Sequence, residues 1–63
     1  MTPQQLHNTF KTMQHFGGSF CKDLASAWFR GDRHNRVRIE RAFPDYLQDF
    51  GPDSPFYLES AND

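Results

Sequence analysis

The sequence predicts a small all-α protein: a helical hairpin or three-helix bundle with a proline-kinked third helix and a mobile acidic C-terminal tail. Three observations predict it. Apolar residues recur at helical spacing on both sides of a Gly31-Asp32 corner, so that two amphipathic helices can fold back and bury Trp28, Phe29, Ile39 and Phe43 between them. Residues that start and stop helices stand at the ends of the periodic stretches. The final stretch, PDSPFYLESAND, is made of prolines, small polar residues and acids. The expected organisation is one helical domain over residues 1–51 and a largely disordered acidic tail over 52–63. Within that tail the triplet Phe56-Tyr57-Leu58 is apolar enough to fold back over an open edge of the core.

The first helix is expected near residues 3–16. Thr2, Pro3 and Gln5 suit its start, because the threonine hydroxyl accepts from the backbone at Gln5, proline fits the first helical position and Gln5 reaches back. Leu6, Phe10 and Met13 then share one stripe, and the same register continues through Gly17, Phe20, Leu24 and Ala27. That 4-3 spacing is the seam of a helix that meets another helix. Gly17 and Gly18 interrupt it at about 1 kcal/mol each relative to alanine, and Ser19 follows as a preferred N-cap. A break is therefore favoured over a single helix from 3 to 30. The seam of Leu6, Phe10, Met13, Phe20 and Leu24 is longer than one short antiparallel neighbour covers, which predicts a symmetric homo-oligomer.

The second helix, near residues 19–30, places Phe20, Leu24, Ala27 and Trp28 on one face. Trp28 and Phe29 are adjacent and point about 100° apart, so one is expected against the first helix and the other against the third. Gly31 fits the position past a helix end where a left-handed conformation costs glycine nothing, and Asp32 caps the next helix from near Asn35. The third helix, near 33–50, carries Ile39, Ala42, Phe43, Tyr46, Leu47 and Phe50 at helical spacing. The pattern runs through Pro44, which predicts either a kink or a stop at Phe43 with a fresh turn beginning at the proline. Leu24, Trp28, Ile39, Phe43 and Leu47 form the expected core, in which truncating Phe43 to alanine costs roughly 3–5 kcal/mol.

Composition narrows the function classes. Aromatic residues make up 16% of only 63 residues, so the rings either fill a dense core or wait for a partner. The lone Cys21 forms no internal disulfide, which suits a reducing compartment. His7, His15 and His34 are scattered without a third ligand, so neither metal nor other cofactor is expected. Cys21 lacks an orienting group for nucleophilic chemistry, and Gly17-Gly18-Ser19 lacks the lysine and spacing of a phosphate loop. The chain is not expected to be an enzyme. No stretch has the features of a signal peptide or a membrane span, which predicts a cytoplasmic protein.

Charge divides the chain. Arg30, Arg33, Arg36, Arg38 and Arg41 stand against Asp32 and Glu40, whereas Asp45, Asp49, Asp53, Glu59 and Asp63 follow with no lysine or arginine. The candidate partner-binding residues are Arg30, Arg33, Arg36, Arg38 and Trp28. Arg33 and Arg36 oppose the dipole at a helix start, so an arginine patch for an acidic protein surface is weighed against a merely solvated face. A helix-turn-helix reading places Ala27 and Gly31 at the right spacing, but Arg30 and Glu40 occupy positions where that motif needs apolar residues.

The corner LASAWFRGD followed by NRVRIERAFPDYLQDFG resembles short uncharacterised helical proteins encoded by bacteriophages and prophages. The resemblance spans about half the chain and implies a phage-type accessory factor in the cytosol of a bacterial host. Such a factor would bind and modulate or inhibit a host protein or a defence component. The alternative is a small DNA- or RNA-binding regulator using the Arg30–Arg41 helix.

Overall fold

The structure, a computed structural model, describes residues 1–59. Four helices follow one another: α1 (Pro3–Phe16), α2 (Ser19–Arg30), α3 (Arg33–Ala42) and α4 (Pro44–Asp49). The molecule measures 28 × 25 × 22 Å along its principal axes. The all-α class follows from the sequence as expected, and the third predicted helix is two. Phe43 leaves helical geometry at φ −131°, ψ 57°, and Pro44 opens α4 at the position where its missing N–H costs nothing.

Helix starts obey the local chemistry. Thr2 and Gln5 form the reciprocal capping box, with Gln5 N donating to Thr2 Oγ1 at 3.1 Å and Thr2 N donating to Gln5 Oε1 at 2.9 Å. Asp32 Oδ1 accepts from Asn35 N at 2.9 Å and caps α3. Ser19 is the first residue of α2 and Gly18 its cap, one position earlier than the preference of serine suggests. Gly31 is extended, at φ −75° and ψ 149°, and no described residue has positive φ. The turn after α2 thus needs no left-handed glycine.

The core lies between α1 and α2, built from Phe10 and Met13 on one side and Cys21, Ala25 and Trp28 on the other. This corrects the expected core. Of Leu24, Trp28, Ile39, Phe43 and Leu47, only Trp28 is buried, and the other four are half-buried around the edge. The break at Gly17-Gly18 resets the helical phase, so α2 turns Cys21, Ala25 and Trp28 inward and leaves Phe20 56% exposed. The seam proposed for a homo-oligomer therefore dissolves, because Phe10 and Met13 are fully buried within the chain. Gly17 allows the close crossing: a Cβ there would lie 2.6 Å from both Cys21 Cβ and the Met13 carbonyl oxygen.

Trp28 and Phe29 divide differently from expectation. The indole stacks on Phe10 of α1 at 4.3 Å and 9°, and α3 covers it as well. Phe29 also faces α1, meeting the His7 ring edge-on at 5.3 Å with Lys11 Nζ 5.0 Å from its ring centroid.

The stretch after Gly51, expected to be mobile, is a strap across α1 as far as Glu59. Asn8 and Thr12 are buried beneath it, and Thr9 is buried too, although all are polar. Each has a reason: Asn8 Nδ2 donates to Tyr57 Oη at 3.2 Å and to the Glu59 carbonyl at 3.0 Å, and Leu58 N donates to Thr12 Oγ1 at 3.0 Å. Thr9 Oγ1 donates to the Gln5 carbonyl at 2.7 Å. The apolar triplet does fold back, with Phe56 against Phe16 at 5.4 Å. Residues 60–63, the remainder of the predicted tail, lie outside the described residues.

Candidate functional site

Helix α3 buries none of its residues outright, and its ten positions divide among three faces. The inward face holds Arg36 and Glu40, one helical turn apart. Arg36 Nε donates to the Trp28 carbonyl at 2.9 Å and Nη2 to the Phe29 carbonyl at 3.1 Å, while the guanidinium carbon lies 4.3 Å from the Trp28 ring centroid. These carbonyls belong to the last turn of α2, whose dipole favours a cation there. Glu40 Oε2 accepts the indole N–H of Trp28 at 2.9 Å, which satisfies the polar edge of an otherwise apolar side chain. Arg36, Trp28 and Glu40 together form the joint between α2 and α3.

The outward face holds Arg33, His34 and Arg41, all exposed, around a half-buried Val37. No hydrogen bond or ion pair engages any of these three side chains within the described residues. Arg38, likewise exposed, marks the edge between this face and the third.

The third face borders an open groove of about 670 Å³ between α2 and α3. Ala27, Ile39, Ala42 and Phe43 supply its apolar surface, and Arg30, Asn35 and Arg38 its polar rim. Phe43 carries the apolar surface onward, for it stacks with Tyr46 at 5.7 Å and meets Phe20 at 5.9 Å. A second groove, of about 720 Å³, lies between the start of α1 and α3, with Leu6, Trp28, Val37, Arg36 and Glu40 among its walls. Of its three charged residues, Arg36 and Glu40 are already committed to the joint and Arg33 is exposed.

The five sequence-predicted site residues thus do not form one patch. Arg30, Arg33 and Arg38 are exposed; Arg36 is half-buried and holds the end of α2; Trp28 is 4% exposed and part of the core. Arg36 does not join Arg30 and Arg33 on an accessible surface, because its guanidinium turns under the end of α2 to reach the Trp28 and Phe29 carbonyls. Glu40 escaped the sequence reading as a structural residue. Its signal was the i, i+4 spacing to Arg36.

Tyr46 packs over the core edge beside Cys21. Burial pushes its phenol above the ordinary value of 10.0, and the neighbouring Cys21 thiol, Asp49 and Asp45 push the same way. Cys21 itself is buried and behaves as a small apolar residue in the core. Among the described residues no group of three or more metal-ligating side chains comes together, and no helix is long and apolar enough to cross a membrane. Comparison with family models, with curated proteins and with solved structures finds no match to this chain.

Proposed function

We propose that the chain is a small non-catalytic accessory protein of phage type that binds another protein, a host factor or defence component in the bacterial cytosol, through the outward face of α3. One observation carries this reading: Arg33, His34, Arg38 and Arg41 stand together on an exposed helix with no internal partner among the described residues. Arginine engages carboxylates bidentately through a rigid fork, so three such groups along about 12 Å of helix suit a carboxylate-rich protein patch. A protein partner is favoured over nucleic acid because Asp45, Asp49, Asp53 and Glu59 follow α3 directly, and a long polyanion has to run past them.

The nucleic-acid reading keeps a place because the same exposed arginines are what phosphate contacts require. Replacing Arg33 and Arg41 together by glutamate separates the two. Both are exposed, so the melting temperature should stay within a few degrees of wild type. Capture of a protein target from bacterial lysate at physiological salt should fall at least tenfold, about 1.4 kcal/mol. Undiminished capture by the variant assigns the arginines to solvent. Retention of random duplex DNA by the wild type, with affinity falling steeply in salt and lost in the variant, brings the nucleic-acid reading forward.

A further inference from the structure

The groove between α2 and α3 adjoins the outward arginines, sharing Arg38 with them, and it has a polarity of its own. At the Gly31 end stand Arg30 and Arg38, both exposed. In the middle lie Ala27, Ile39 and Ala42, and then the rings of Phe43, Phe20 and Tyr46, mutually 5.7–6.0 Å apart. Beyond the rings α4 presents Asp45 and Asp49, also exposed. Basic corner, apolar centre and acidic α4 therefore succeed one another from the groove through the rings to the residues that flank Tyr46.

Such a strip is complementary to itself. A two-fold axis through the apolar centre lays the arginines of one copy over the aspartates of the other, twice, and presses the two sets of rings together. We infer that a second copy of this chain occupies the groove, forming a symmetric dimer across Ala27, Ile39, Phe43 and Phe20 with Arg30 and Arg38 facing Asp45 and Asp49 of the other copy. Three further observations support this occupant. Phe20 is 56% exposed in the single chain although its ring already joins two others, so it is the natural centre of a buried patch. Neither α3 nor α4 buries a residue outright, so both gain burial from an added layer. A standard interface takes about 800 Å² per partner. Against a surface of 4383 Å² that is less than a fifth, which one side of the molecule can supply.

The charges allow a test that does not depend on which arginine meets which aspartate. In one variant Arg30 and Arg38 become glutamate; in another Asp45 and Asp49 become lysine. Alone, each variant sets like charges against each other at both ends of the interface. Mixed, they restore opposite charges at both ends. Sedimentation equilibrium of the wild type should show twice the 7.4 kDa chain mass at tens of micromolar, with dissociation rising in salt. Each variant alone should dissociate at least tenfold more readily, and an equimolar mixture should recover dimer to within about threefold of wild type. Phe20→Ser serves as a second, uncharged disruption, and far-ultraviolet spectra check that every variant keeps its helix. The inference is overturned by a wild type that remains a 7.4 kDa species up to half a millimolar, whether or not it captures an acidic partner segment instead. It is equally overturned by a dimer that Phe20→Ser and both charge variants leave intact.

Discussion

Arg36 holds three positions in one side chain: it donates to the Trp28 and Phe29 carbonyls and sets its guanidinium over the indole. Lysine supplies the charge but not the planar fork. Arg36→Ala should therefore cost about 2 kcal/mol, roughly 8–16 °C in Tm for a chain of this size, and Arg36→Lys should recover only part of it in the same thermal melt. Reversing Arg36 to glutamate, which a solvated patch would tolerate, sets an anion against the C-terminal end of α2 and should destabilise further. Among the apolar residues the order of importance changes as well. Phe10 is fully buried, so Phe10→Ala should cost about 3–5 kcal/mol and unfold so small a domain, whereas the half-buried Phe43 should lose only about half of that. Denaturant melts of the two variants check the ranking. Tyr46 gives a titration signature. Its phenol is held neutral in the fold, so the unfolded phenol ionises first, near pH 10.0, and stability present below that value is lost as pH rises through the higher folded value. In a Tyr57→Phe background, phenolate absorbance of the folded protein should rise with a midpoint above 10, and denaturant stability should begin to fall near pH 10.

At the scale of elements, the hydrophobic period located every helix, and the punctuation residues set the ends. Thr2 with Gln5, Asp32 and Pro44 each stand where local chemistry places them. What period alone does not carry is phase across a break. Two extended residues at Gly17 and Gly18 rotate α2 relative to α1, so a stripe continuous on paper leads to Phe20 in solvent and Cys21 in the core. Only tertiary approach, seen in the space denied to a Cβ at Gly17, fixes that rotation. The arginine helix was legible as a feature, but which arginine turns inward depends on where the end of α2 sits. The strap was the least legible element, for its partners are polar and lie 46 to 51 positions away. Thr12→Val keeps the shape and removes the acceptor for Leu58 N–H, so it should cost about 1 kcal/mol. Amide exchange at Leu58 should quicken in that variant while the amides of α2 keep their relative order of protection.

On the scale of the whole molecule, the strap fastens Tyr57, Leu58 and Glu59 back to α1. Thr12 accepts from Leu58, 46 positions later in the sequence. At about 5–20 residues per second of synthesis, α1 therefore waits roughly 2–9 s before its cover has even been made. What the missing strap leaves exposed meanwhile is the pair Asn8 and Thr12, side chains that water solvates as readily as the strap does. An apolar pair in the same place would leave the nascent chain sticky during that interval. The polar pair makes docking of the strap an exchange of water for backbone partners, and keeps the unfinished protein apart from its neighbours until the strap has been made.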